Sequence, residues 1–500
     1  MEKSVRKTPL KKPWHHINKK MLSSKFAYFF EYAKEGSHWP YLVLFYVSIG
    51  LDPAQAGFIS GLRFIGGVLG APICGWIADK TGQHRTIAIL VCFMAAITNI
   101  MQPIVTMLMG NPEKNTCPQL SAGNDSNLYA SYKVASYHQP DDAPNAQSSG
   151  MFYFLLAAST VASFFDGTTM GFVDSGVLRN MLASPTPTDI GKQRYFGPPG
   201  VGISAFLSGV VVDHFPRLPI SCYTGIFVNY SVACTGMAIT FFFLLRGVPQ
   251  QDQEPQQQRE QAQEQKSQNV NSDINHILIT HMKKLKTWLF LFVVFFNGMA
   301  LALAFSFSFL FLKDMNASNA VMGLAMCMNG FTGAIFFVIS QRLIHILGGS
   351  LNAMAFSCLC WVVRYLCLAY MTQPYHFLLI CMLNGLTCSL FVSAYVDYIK
   401  NTFPPKIFTV ICGIASSLYN SGGYLIANII GGIGYKYMGA QKLFVACSIA
   451  CGCCSVATFV YRLVLLRVDG KEEGGPSTDS STGTEMKTTT SQDNNGFTYT

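Results

Sequence analysis

Gly75-Trp76-Ile77-Ala78-Asp79-Lys80-Thr81-Gly82-Gln83-His84-Arg85 stands between two long apolar runs. Residues 54–74 before it carry a single charge, Arg63, and residues 86–109 after it carry none. Each run is long enough to cross a bilayer as a helix, at roughly 20 residues per crossing. The stretch between them is therefore a tight turn at one membrane face. In it Gly75 lets two helices approach, Gly82 supplies the turn, and Asp79 sits beside Lys80 and Arg85.

The same alternation of apolar run and polar turn fills the chain. Half the residues are hydrophobic and 12% are charged, against roughly 25% charged in a soluble domain. The chain reads as an all-α polytopic membrane protein with twelve transmembrane helices, near 26–49, 54–74, 86–109, 151–178, 195–212, 224–245, 287–312, 320–341, 350–370, 375–399, 408–433 and 441–465. Residues 1–25 form a basic arm, 26–246 a first six-helix bundle, and 110–150 a polar outer loop within it. A linker at 247–286 is dominated by Gln and ends in a short basic amphipathic stretch; such composition cannot bury a core. A second six-helix bundle spans 287–466, and a Ser/Thr-rich tail spans 467–500.

The net charge of +9 does not point to nucleic acid, because it is unevenly placed. The 1–25 arm alone holds eight Lys and Arg, and most of the others fall on the side of the Gly75–Arg85 turn. Positive charge marks the cytoplasmic side, so both termini and this turn are expected there. The first apolar run is too long, and lacks the small-residue cleavage site, of a removable signal peptide. The plasma membrane is the expected compartment.

Most of the sixteen Cys lie in apolar helices, where they act as small hydrophobes, and none makes a CxxC pair beside His in a polar loop. No metal site is expected. Cys117 and Cys222 fall outside, where disulfides persist, and both a bridge and two free thiols remain open. Asn124-Asp125-Ser126 is a glycosylation sequon in the outer loop.

A charge at bilayer depth costs several kcal/mol, so it faces a cavity or a partner. The candidates are Glu31, Lys34 and Glu35 in the first helix, Arg63 in the second, Asp166 and Asp174 in the fourth, Arg364 in the ninth and Asp397 in the tenth. Glu31, Lys34 and Glu35 lie on one helical face. One lysine cannot neutralise two carboxylates, so the spare acid needs Arg63, a proton or a substrate cation. Two readings stand: a fixed ion cluster joining the first two helices, or a solute- and proton-binding group. Asp397 is either a site residue or a cap near the inner end of its helix. His38, one turn past Glu35, either titrates near neutrality or hydrogen-bonds a neighbour, and His376 is placed near the outer surface. Trp39 and Tyr365 are the aromatic cavity candidates. No Walker loop, nucleophile elbow, HExxH helix or kinase set is present, so neither an enzyme nor a cofactor is expected.

The opening stretch resembles the motif G-x-x-x-D-x-x-G-x-[RK]-[RK] of the major facilitator superfamily, through Gly75, Asp79, Gly82 and Arg85. The resemblance implies two pseudo-symmetric six-helix bundles rocking about a central cavity, with this turn as a gating latch, in a monomer. An internal echo agrees. Gly57 and Gly323 each open the second helix of their half, and the second copy of the motif, near Gln341-Arg342, has decayed.

The first helix, Ser24-Lys25-Phe26-Ala27-Tyr28-Phe29-Phe30 with Gly36 and Trp39-Pro40-Tyr41, is similar to that of the lactose-permease-like branch. It looks closest to the animal group called major facilitator superfamily domain-containing protein six and six-like. In the permease a glutamate and an arginine pair on the sugar, and Asp174 and Arg194 fall at their positions. Arg364 falls where a helix-nine arginine serves proton coupling. The sugar-stacking Trp is replaced by Val201, and the permease's His and Glu coupling pair fall near Asn384 and Thr387. The implied function is secondary active or facilitative transport of a small polar solute, with a proton as candidate co-substrate. The alternative is a non-transporting receptor on the same fold, read through 110–150 and the basic arm.

Overall fold

The computed structural model describes residues 21–109, 146–182, 193–214, 223–245, 276–404 and 407–472. The described residues up to Phe459 form one compact unit, which holds all the contacts described below. Asn124, Cys117 and Cys222, with most of the linker and tail, lie outside the described residues.

The helices are α1 (Leu22–His38), α2 (Leu42–Ser48), α3 (Pro53–Thr81), α4 (His84–Met109), α5 (Ala146–Leu182), α6 (Gly197–His214) and α7 (Thr224–Leu244) in the N-terminal half. The C-terminal half holds α8 (Leu285–Asp314), α9 (Asn319–Ile346), α10 (Ser350–Ala369), α11 (His376–Met382), α12 (Leu390–Thr402), α13 (Phe408–Ser417) and α14 (Gly423–Glu472). Nine described stretches are long and apolar enough to cross a membrane. One of them runs through Gly439, whose φ of 77° and ψ of 167° break α14 into two crossings. The α1–α2 pair and the short α6 complete twelve crossings.

The expected first helix is bent rather than continuous. Trp39–Tyr41 form a 3₁₀ turn between α1 and α2. Pro40 has no N–H to continue the ladder, and its ring displaces the preceding turn. Two further irregularities were not legible in the apolar pattern: π turns at Gly385–Ser389, between α11 and α12, and at Leu418–Gly422, between α13 and α14. Such bulges recur at functional sites.

The halves meet closely on the side of the membrane away from the Gly75–Arg85 turn, and α6 and α9 stay in contact back to the start of α6, where a Cβ on Gly330 would stand 2.4 Å from the backbone oxygen of Pro198. A Cβ on Gly57 would stand 2.3 Å from the backbone oxygen of Asn428 on α14. One on Gly323 would stand 2.5 Å from that of Ala205 on α6. The two glycines thus occupy matching places in opposite halves, where only a missing side chain lets the backbones touch.

Candidate functional site

Charges of α1 sort into two stripes. Glu31, Lys34 and His38 turn into the N-terminal half, where Lys34 is wholly buried and Glu31 is 2% exposed. The Lys34 ammonium lies 3.2 Å from Glu31 and donates to Asp166 Oδ1 at 3.1 Å and to Thr169 at 2.5 Å. Arg63, from α3, donates to Asp166 Oδ2 at 3.1 Å and to Asn99 at 3.3 Å. Tyr230 of α7 donates to Asp166 Oδ1 at 3.0 Å. Two acids and two bases therefore close a neutral set that ties α1, α3, α4, α5 and α7 together.

His38 belongs to this set as a neutral ring. Its Nδ1 lies 2.9 Å from the Lys34 carbonyl, which can only accept, and its Nε2 lies 2.8 Å from Arg63 Nη2, which can only donate. The ring therefore carries its proton on Nδ1.

Glu35 is not in the cluster. It lies about 100° round the helix from Lys34, on the other stripe with Tyr28, Tyr32 and Trp39. It is half-buried, and among the described residues it has no hydrogen bond or ion pair. It is the spare acid of the sequence count, and Arg63 does not satisfy it because Arg63 is taken up by Asp166.

The second stripe also changes how Asp174 and Arg194 are held. The resemblance implies a direct pair, but no ion pair within 4.0 Å joins them among the described residues. Tyr28 donates to Asp174 at 2.6 Å, and Arg194 Nε donates to the Tyr32 hydroxyl at 3.2 Å. Tyr28 and Tyr32 are one turn apart, so each charge meets its own phenol instead of the other charge.

In the C-terminal half, Arg364 is 2% exposed on α10. Its Nη1 donates to Asn384 at 3.2 Å and to Thr387 at 3.0 Å. Its guanidinium carbon lies 4.9 Å from the Trp361 ring centroid, and its buried Nε has no partner. No carboxylate neutralises it among the described residues. Thr387 sits in the first π turn, which turns its hydroxyl to the arginine.

Between the halves lies a cavity lined by Trp39, Ser60, Arg63 and Phe64 on one side and Ser306, Tyr424 and Asn428 on the other. Trp39, Phe64 and Tyr424 pack with ring centroids 4.9 to 5.9 Å apart. Trp39 Nε1, Ser60 Oγ and Asn428 Oδ1 are buried there without hydrogen-bond partners. Tyr365, by contrast, does not line this cavity. It is wholly buried, donates to the Ala300 carbonyl at 2.5 Å and packs on Trp361 and Phe444.

On the far side the seam is closed by polar contacts that no motif in the sequence announces. Asp213, at the end of α6, accepts from the backbone N–H groups of Asn319 (3.2 Å) and Ala320 (2.7 Å) and from the Asn319 amide (2.7 Å). Asp52 caps α3 in a box with Gln55 and also meets Lys436 at 3.1 Å. The Asp52-Pro53-Ala54-Gln55 cap is legible in sequence. The cross-half partners of Asp52 and Asp213 are not, because nothing local encodes them.

The motif side is different. Gly82 ends α3 with φ 67°, the turn expected of it. Nothing lies within 4 Å of a Cβ on Gly75, so no helix approaches it in this conformation. The Asp79 side chain is 75% exposed and lies 3.6 Å from His84, and Arg85 lies 3.6 Å from the Phe242 ring centroid. Among the described residues, no hydrogen bond or ion pair joins this turn to the C-terminal half. Asp397 accepts from Ser350 at 2.6 Å, joining α12 to α10 within its own half, and His376 is exposed.

Twelve crossings in two halves, sealed on one side around buried charge, are the architecture of a transmembrane transporter with the major facilitator fold. The chain belongs to the MFS_1 like family, whose model matches residues 21–446. Its fold is similar to that of the nucleoside transporter NupG, at 15% identity and a TM-score of 0.63, covering 89% of this chain and 99% of that one. Tetrameric PepTSo2 matches at 10% identity and a TM-score of 0.58, over 90% of this chain and 98% of that one. An auto-inhibited POT family peptide transporter matches at 11% identity and a TM-score of 0.56, over 89% and 97%.

Proposed function

We propose that this chain carries a small polar solute across its membrane by alternating access and works as a monomer in the plasma membrane. The observation that carries this reading is the asymmetry of the seam. Asp213 and Lys436 join the halves on the far side, while Asp79 on the motif side has no partner in the opposite half among the described residues. With both termini and the motif in the cytoplasm, as the basic arm favours, this is an inward-facing state.

In this reading the neutral Glu31–Lys34–Arg63–Asp166 set is the frame of the N-terminal half, and the solute meets Glu35, Asp174, Arg194 and Arg364. Glu35 is the proton-carrying candidate, since it alone among the acids of α1 has no base beside it. The bent, aromatic first helix and the placement of Arg364 favour the lactose-permease-like branch and its six-like group. The similar folds are described as nucleoside and peptide transporters, which is consistent with a polar organic solute.

Uptake of polar solutes by cells making Glu35→Gln, Asp174→Asn or Asp79→Ala tests the reading. Each variant should lose most of its flux while its amount at the cell surface holds. Unchanged flux in all three removes the assigned roles.

A further inference from the structure

Three buried polar atoms around the cavity between the halves have no hydrogen-bond partner: Trp39 Nε1 at the bend after α1, Ser60 Oγ on α3 and Asn428 Oδ1 on α14. Packing brings their residues to one place. The Trp39 ring centroid lies 5.4 Å from that of Phe64, one turn along α3 from Ser60. It lies 5.9 Å from that of Tyr424, one turn along α14 from Asn428. Next to Ser60, a Cβ on Gly61 would stand 2.7 Å from the Leu425 backbone oxygen and 3.5 Å from the Asn428 Cβ.

The chemistry of the three atoms is complementary. The Trp39 indole N–H can only donate, the Asn428 amide oxygen can only accept, and the Ser60 hydroxyl does either. Asn428 gives its own N–H to the Tyr424 carbonyl at 2.8 Å, which leaves the oxygen over. A buried polar atom without a partner is unfavourable, and native proteins keep few of them. Three around one cavity call for a group that both donates and accepts. Arg63 is the one charged residue of the lining among the described residues, and it is engaged by Asp166 at 3.1 Å. A further charge entering here would lose its water without gaining a counter-charge. A purely apolar group would leave all three atoms orphaned. A hydroxyl meets both needs, and the C–H groups beside it pack on Trp39, Phe64 and Tyr424.

We propose that this cavity binds an uncharged, hydroxyl-bearing group of the solute, which accepts from Trp39 Nε1, donates to Asn428 Oδ1 and bonds to Ser60. The inference rests on the transporter reading for its purpose, but its binding test does not depend on transport. Trp39 and Ser60 belong to one half and Asn428 to the other, so a group seated here bridges the seam and favours the closed far side.

The test uses purified full-length protein and three pairs of probes: glycerol with glycerate, glucose with gluconate, and uridine with uridine monophosphate. Binding is read as the dependence of the thermal unfolding midpoint on probe concentration. At least one neutral probe should bind about tenfold or more tightly than its charged counterpart. Trp39→Phe, Ser60→Ala and Asn428→Leu should each weaken that binding by about threefold to tenfold, the worth of one neutral hydrogen bond. Without a probe, Trp39→Phe and Ser60→Ala should unfold no earlier than the parent protein, since each removes an orphaned atom. If no neutral probe is preferred, or if binding survives all three substitutions unchanged, the proposal fails. Earlier unfolding with affinity kept would mark the atoms as structural and overturns it too. Uptake into proteoliposomes separates the two readings. A neutral probe that binds in this way and never enters leaves the proposal standing and overturns transport. Entry of a charged counterpart indifferent to the three substitutions does the reverse.

Discussion

The Asp213 carboxylate, at the last turn of α6, receives the Ala320 N–H at 2.7 Å and so caps α9, a helix of the other half. Ser318 caps the same helix from its own side, through the Val321 N–H at 3.3 Å. A helix N-terminus holds free N–H groups and a partial positive charge, and here an anion from across the seam meets both. The contact ties the opening of the far side to breaking charge-assisted hydrogen bonds, each worth about 1.5 to 3 kcal/mol.

Asp213→Ala should therefore loosen the far-side seal. A cysteine at Ser60, which lines the cavity, reports it through labelling by a membrane-impermeant thiol reagent applied from the far side. Losing about 1.5 to 3 kcal/mol corresponds to a roughly tenfold to hundredfold rise in labelling, measured above the background of native cysteines. Equal labelling in the two backgrounds would show that Asp213 does not hold the seal.

Gly57 and Gly323 give a steric version of the same argument. With Cβ positions 2.3 and 2.5 Å from backbone oxygens of the opposite half, neither Gly57→Leu nor Gly323→Leu can close the far side as seen here. Both variants should insert normally and show longer far-side distances by spin-label spectroscopy, with uptake lost. A wild-type distance distribution in either variant would mean that the backbone shifts to accept the side chain.

The crossings and the latch turn were legible because both depend on local composition: apolar runs of sufficient length, and Gly82 where φ is positive. The buried charges were legible for the same reason, as exceptions in apolar surroundings. Their partition was not. Glu31, Lys34 and Glu35 follow one another so closely that spacing alone puts them together, and only the packing of α5 shows that Asp166 completes a neutral set without Glu35. The stripe of Tyr28, Tyr32, Glu35 and Trp39 was present in the spacing but hidden by the density of aromatic residues. The roles of Asp213, Tyr424, Asn384 and Thr387 depend on contacts between helices far apart in the chain, which no local pattern encodes.

The neutral set itself predicts non-additivity. Removing one partner of a buried ion cluster leaves an uncompensated charge and costs about 3 to 5 kcal/mol. Lys34→Met and Asp166→Asn should each lower the thermal unfolding midpoint strongly. The double variant leaves Glu31 and Arg63, one charge of each sign, and should cost clearly less than the two single losses combined. Additive losses would mean that the groups are stabilised separately and do not form one network.

Asp79 has the opposite energetic signature. Its side chain is 75% exposed and its contact, His84 at 3.6 Å, belongs to the same turn. An exposed pair of this kind contributes between zero and about 1 kcal/mol, so Asp79→Asn should leave the conformation described here nearly as stable as before. Any role of this residue as a latch must then be exerted in the other conformation, where the motif side is closed. The substitution should accordingly move the population toward the open motif side, by about tenfold for each 1.4 kcal/mol of lost latch. Spin labels at Thr81→Cys and Lys400→Cys, at the motif-side ends of α3 and α12, read the separation of the halves there. Asp79→Asn should enrich the longer distance. A shift toward the shorter one, or none under conditions that populate both states in the parent protein, would remove Asp79 from the latch.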